Sequence, residues 1–368
     1  MEDAIKPFEK YIDDLAKGEW DWYFSSIDKR ENLNMEMPSG PLLLLHGLGT
    51  ALRPEDQKRI EILFRPGITF VIVNCTRIFS NLVSRSHLFA VSGSGKTRLS
   101  LEGLGKHWGI YFSCSAQVGK PTGSNDLSCA TDTLTTMSTT KKLTASPTTT
   151  EINSNVVAAR RAFTQLLCAR VFILKSLLQN IPPGTAVEVA RRRWVLAQIL
   201  PPWQDNYDIF TTVLRTIRGG TTDTMDAIIS DTLNELGKTK GDLFPTATKL
   251  FAVVDEAQVG AKGLTDYFIS SDREATPRPI LREIVNSLDK STRFCGVILS
   301  GTGLSLDVVK KALSSLSAKN IGASRVYVDT GRFTKDDPYL EAYINRYLCN
   351  NPPDGRLLER MRHWLSGR

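Results

Sequence analysis

Histidine and cysteine are scarce and scattered in this sequence. The four histidines, His46, His87, His107 and His363, stand too far apart to suggest a zinc site or a catalytic triad. The six cysteines, Cys75, Cys114, Cys129, Cys168, Cys295 and Cys349, include no C-x-x-C pair. They read as free thiols of a reducing compartment, not as a disulfide frame. The leucine run at 42–45 is far short of the roughly 18 apolar residues of a spanning helix. Residues 1–10 are charged and lack the basic, apolar and small-residue progression of a signal peptide. The expectation is an intracellular protein, cytoplasmic or nuclear, without membrane association. No internal repeat is evident.

What is present is ordinary in bulk. The chain has 368 residues, 41% of them hydrophobic and 23% charged, enough for two domains or one large one. A net charge of +7 and a pI near 9.0 admit a polyanionic partner. Lysine and arginine are nevertheless spread along the chain, the pattern of a solvated surface.

Residues 1–53 read as an irregular N-terminal extension packed by Trp20, Trp22 and Tyr23. Residues 54–126 carry the first part of an α/β core, with a β-branched strand at 68–74 and a second candidate at 87–91. A helix follows over 97–108, with Leu101, Leu104 and Trp108 at core spacing, and then a strand at 110–113. Half of residues 131–150 are threonine, so 127–155 reads as a flexible segment unable to bury enough apolar surface. A helical insertion spans 156–245, with helices at 156–180, 187–200 and 208–237. The core resumes over 246–368, with strands at 250–254, 296–299 and 325–328. Helices are expected at 280–288, 306–316, 340–348 and 357–365. Strands alternating with helices imply a five-stranded, mostly parallel sheet covered on both faces.

The strongest motif is Ser92-Gly93-Ser94-Gly95-Lys96-Thr97, followed by Arg98. A phosphate chain needs backbone N–H donors at close range. Glycines let the main chain curl around it without a Cβ clash, and the following helix presents its positive end. In this pattern Lys96 reaches the β- and γ-phosphates of ATP or GTP, and the Thr97 hydroxyl ligates Mg²⁺. The full pattern wants glycine where this chain has Ala90, and short matches to it occur by chance. The second motif is Phe251-Ala252-Val253-Val254-Asp255-Glu256, an apolar strand ending in two carboxylates. Asp255 is placed to hold Mg²⁺ through water and Glu256 to polarise the attacking water. An acidic N-cap accounts for one carboxylate but not for both.

A third element, Val297-Ile298-Leu299-Ser300-Gly301-Thr302, ends another apolar strand in hydroxyls. In NTPases with a strand inserted between the phosphate-loop and Asp-Glu strands, that strand often ends in a residue sensing the γ-phosphate. Ser300 and Thr302 are candidates, with a plain glycine turn as the alternative. Arg332 reads as a nucleotide contact or a surface arginine. Arg191, Arg192 and Arg193 beside Trp194 suit a nucleic-acid patch, or a solvated helix face with Trp194 in the core. Trp203 and Tyr207 read as packing residues.

Together these runs resemble the NTPase module of Crinkler-type proteins from basidiomycete fungi. The likeness rests on residues 92–104 with His107-Trp108-Gly109, on 190–198, on Val254-Asp255-Glu256-Ala257-Gln258 and on Leu299-Ser300-Gly301-Thr302-Gly303. It covers roughly residues 40–368. The resemblance implies an AAA-like or STAND-like ATPase core, used as a regulatory or effector module. It sets Lys96 and Thr97 on phosphate and Mg²⁺, and Asp255 and Glu256 on metal and water. Residues 75–91 then read as an insertion between the phosphate-loop strand and its glycine loop. The chain is expected to stop short of a C-terminal helical lid, and no Leu-Phe-Leu-Ala-Lys-type translocation motif is present.

The expected function is ATP binding and slow hydrolysis used as a switch. The alternatives are a non-catalytic relic of the fold, binding a protein partner through the helical insertion, and a nucleic-acid-associated ATPase.

Overall fold

In a computed structural model of the chain the described residues are 1–25, 45, 47–49, 53–72, 95–115, 123–144, 146–204, 207–269, 276–289, 291–301, 304, 324–327 and 355–365. The chain is a mixed α/β protein. Its sheet is built from β1 (Ile68–Ile72), β2 (Gly109–Ser113), β3 (Leu250–Asp255), β4 (Phe294–Ser300) and β5 (Ser324–Tyr327), in the spatial order β2-β3-β4-β1-β5. Every pairing is parallel. β2 and β3 are buried along their whole length, which is why they read as unbroken apolar runs instead of alternating ones.

Register decides where the functional ends fall. Ser113 pairs with Asp255, Val254 with Leu299, and Ile72 with Ser300. The C-terminal ends of these four strands are therefore level. That edge is where open parallel sheets bind ligands.

The helices used below are α1 (Glu9–Lys17), α2 (Pro54–Leu63), α3 (Lys96–Lys106), α4 (Asp126–Thr136), α5 (Thr149–Asn180), α6 (Val187–Ile199), α7 (Ile209–Thr216), α8 (Thr222–Thr239), α9 (Ile280–Asp289) and α10 (Gly355–Leu365). α3 packs on β3 and β4 and against α2 and α6, while α5 gathers α4, α7, α8 and α9 around it. One buried cluster runs from Ile5 to Leu304, so the helical insertion shares its core with the sheet.

β2 lies at the end of the sheet, and its outer backbone groups need partners. α6 supplies them from side chains. Trp194 Nε1 donates to the Gly109 carbonyl at 2.7 Å, and the Tyr111 N–H donates to Gln198 Oε1 at 2.8 Å. Both α6 residues are fully buried.

Several expectations are corrected. Residues 1–25 are largely helical instead of irregular. Tyr11, on α1, donates its hydroxyl to the Leu200 carbonyl at 2.9 Å, fastening this segment to the insertion. The threonine-rich stretch is not featureless. α4 buries Leu127, Ala130 and Leu134 along one stripe. α5 begins at a reciprocal capping box between Thr148 and Glu151, the arrangement that satisfies two orphan N–H groups. Asp126 ties α4 to α5, because Arg170 Nη2 on α5 donates to it at 2.8 Å and both side chains are wholly buried.

The arginine run on α6 is not a solvated face. Arg193 pairs with Asp21 at 2.7 Å, Arg191 donates to the Lys106 carbonyl at 2.7 Å, and Arg192 lies over the Phe24 ring. Trp203 and Tyr207, expected as packing residues, are 38% and 41% exposed on a two-residue antiparallel ribbon. The strand expected at 87–91, the insertion at 75–91, Arg332 and the helices expected at 306–316 and 340–348 lie outside the described residues. α5 is the one described helix long and apolar enough to cross a membrane. Within the fold 78% of that window is buried, as befits a core helix.

Candidate functional site

The site is assembled at the level strand ends around one carboxylate. Asp255 closes β3 and is buried. Its Oδ2 accepts from Thr97 Oγ1 at 2.7 Å and from the Tyr111 hydroxyl at 2.8 Å. Its Oδ1 accepts from the Glu256 N–H at 2.9 Å and from Ser300 Oγ in a short hydrogen bond. Three hydroxyls from the head of α3, the edge strand β2 and the end of β4 thus converge on a residue far from each in sequence. Four donors on one carboxylate offset the cost of burying its charge.

Lys96 and Thr97 owe their places to Gly95. The backbone there has φ 78°, the left-handed region, and hands the chain into α3 as its N-cap. A side chain at that position would be strained. Lys96 is buried behind it. Burial pulls its ammonium pKa down from 10.5, and the carboxylates of Asp255 and Glu256 pull it back up. The first effect prevails; the second reflects that this cation sits in the field of the two acids.

Tyr111 is held far above its usual pKa of 10.0, first by burial and then by the charge of Asp255. It is therefore a fixed neutral donor. Cys114 donates its backbone N–H to the Asp255 carbonyl at 3.0 Å. Burial pushes its thiol up to about 12, so it is no nucleophile at neutral pH.

Glu256 follows with φ 52°, one of two non-glycine residues at positive φ among those described. Such a backbone costs on the order of 1–3 kcal/mol and persists where the surroundings impose it. Here they do: its N–H is held by Asp255, and its side chain accepts a short hydrogen bond from Gln258 Nε2.

The candidates singled out in the sequence are thus partly gathered. Lys96, Thr97, Asp255, Glu256 and Ser300 come together. Arg98, on the same helix, donates to Glu102 instead, a buried carboxylate that also accepts from the Gly49 N–H at 2.8 Å. Ser92, Gly93, Ser94 and Thr302 lie outside the described residues. Tyr111 and Gln258 were missed. Tyr111 was visible only as a strand residue, since nothing in the sequence tells which strand pairs with β3. Gln258 stands in Asp-Glu-Ala-Gln, where only its spacing of two from Glu256 hinted at contact.

The donor set fits a hard cation. A threonine hydroxyl that gives its only hydrogen to Asp255 keeps its lone pairs for a metal, and Mg²⁺ prefers such oxygen ligands, while Asp255, already engaged by four donors, supports the site from behind Thr97. No group of three or more histidine, cysteine, aspartate or glutamate side chains suited to a metal occurs among the described residues, so any cation here draws on few protein ligands. A separate cavity of about 450 Å³ opens between α5 and α9, lined by Phe112, Phe163 and Ile284 among others. None of the residues around Asp255 lines it.

No family model matches this chain, and no curated protein matches it.

Proposed function

We propose that the chain is a P-loop nucleoside triphosphatase that binds Mg-ATP at the ends of β3 and β4 and hydrolyses it slowly as a conformational switch. The observation that carries this reading is the 2.7 Å hydrogen bond from Thr97 to Asp255. It joins two motifs, 158 residues apart, that were each chosen for a role on the same metal ion. The strand order supports it too: β4, ending in Ser300, lies between β1 and β3, the arrangement that puts a γ-phosphate sensor beside the Asp-Glu pair. The resemblance to Crinkler-type NTPase modules, with its AAA-like or STAND-like core, agrees with both.

In this reading Lys96 binds the terminal phosphates with its ammonium, Thr97 would ligate Mg²⁺, and Asp255 would hold the ion indirectly, through Thr97 and water. When bound, Mg²⁺ supplies Lewis-acid neutralisation of charge developing on the phosphoryl oxygens. Glu256 orients water for in-line attack, and Ser300 reports on the γ-phosphate. Preorganised charge, not covalent chemistry, carries such a reaction.

The test is a thermal-shift titration with Mg-ATP on wild type and Lys96→Ala in parallel. A ligand that binds only the folded state, at about 100 times its dissociation constant, adds roughly 2.7 kcal/mol. The expected result is a shift in wild type that disappears in the variant. No shift in either folded protein would overturn nucleotide binding and leave the non-catalytic interaction module.

A further inference from the structure

Gln258 closes the Val254–Gln258 run but has no part in the proposed roles. Its Nε2 donates to Glu256 Oε2. Its other amide atom, Oε1, is buried without a hydrogen-bond partner. That atom rests on Gly301, where an added Cβ would lie 2.0 Å from it and 3.1 Å from the Ala257 nitrogen. The assignment of the two amide atoms follows from charge, since the reversed orientation would turn an oxygen toward the Glu256 carboxylate.

A buried, unpaired amide oxygen destabilises the fold, and an apolar side chain of the same length would avoid that cost. What the amide gives in return is a fixed Glu256. A glutamate carboxylate has a broad, two-fold χ3 torsion and two preceding rotors. Donation from Gln258 ties one oxygen and leaves the other for a water. The strained backbone of Glu256 (φ 52°) points the same way, because it also fixes where the side chain starts. Through Gly301, the amide also touches the strand end that carries Ser300.

We propose that Gln258 is a positioning residue for the Glu256 carboxylate, and that the missing Cβ at Gly301 is what lets it stand there. This rests on the reading of the site as a nucleotide hydrolase. Gln258 does not touch nucleotide or metal in this scheme; it acts by holding Glu256. A misplaced catalytic group of about 1 Å can cost about a hundredfold in rate.

The experiment compares wild type, Gln258→Met, Gly301→Ala, Gln258→Ala and the Gln258→Ala/Gly301→Ala double variant. Three quantities are read: Mg-ATP affinity by titration, steady-state kcat and KM, and the nucleotide-free melting temperature. Gln258→Met, of equal length but without a donor, is expected to keep nucleotide affinity within about twofold and lose about 10- to 100-fold in kcat. Its melting temperature should equal or exceed that of wild type, because the orphan oxygen is gone. Gly301→Ala should lower both kcat and melting temperature. The drop in melting temperature should shrink in the Gln258→Ala background, as contacting residues are not additive. Wild-type kcat in folded Gln258→Met, or an equal cost of Gly301→Ala in both backgrounds, would overturn the proposal while leaving the hydrolase reading intact. No Mg-ATP binding or turnover by wild type would overturn both.

Discussion

At the scale of single residues, the site is a set of side chains whose roles separate by substitution. Glu256→Gln keeps the size of the side chain and removes the carboxylate that the proposed function sets on the attacking water. The expected outcome is unchanged Mg-ATP affinity with turnover reduced at least a hundredfold, on the order of other losses of a catalytic base. Equal single-turnover rates for the two proteins would remove Glu256 from the mechanism. His107 allows a test outside the site. Its ring stacks on Phe64 with centroids 5.3 Å apart and meets Phe251 edge-on. Burial, then the charges of Arg191 and Lys106, hold its pKa below 6.5. The unfolded chain therefore takes up this proton before the folded one does. The stabilisation is present above about pH 6.5 and is lost as the pH falls through the unfolded pKa toward the folded one. His107→Phe should thus lose less melting temperature than wild type between pH 7.5 and 5.5; parallel curves would show that the imidazole does not contribute. Among the site residues, Lys96, Thr97, Asp255, Glu256 and Ser300 were legible because glycine runs and strand-terminal carboxylates are local signals. Tyr111 was not, because its partner lies 144 residues away and strand neighbours are not written in local pattern.

At the scale of elements, helices and strands were read from periodicity, and the misses came from side chains that work against composition. Threonines around 131–150 suggested a loop. Yet Leu127, Ala130 and Leu134 form one face of α4, and the Asp126–Arg170 pair joins that helix to α5. Arg170 also lies 4.0 Å from the centre of the Phe210 ring. Nearby Asp208 caps α7 and is pushed above its ordinary pKa, first by burial and then by the charge of Asp126. One guanidinium therefore serves a region holding two buried acids. Arg170→Met should cost about 3–5 kcal/mol in urea unfolding, the penalty of leaving a buried charge without its partner. The double variant Arg170→Met/Asp126→Leu should cost less than the single one. A double variant that costs the sum of the two single ones would mean that the pair is not energetically coupled. The arginines of α6 misled for a similar reason: charge in sequence suggests solvent, but a guanidinium can bury its stem and spend its N–H groups on carbonyls.

At the scale of the whole molecule, the sheet order unites what the sequence kept apart. β1, β3 and the strand between them, β4, come from residues 68–72, 250–255 and 294–300, with the helical insertion falling between the first two. The same order has a kinetic side. Asp255 receives hydroxyls from partners 158, 144 and 45 residues distant, and each requires the closure of a long loop before any contact repays it. Such a cluster is a poor nucleus for folding. It forms when the chain has already found its sheet order, so an intact Asp255 cluster marks a chain whose distant segments have all met.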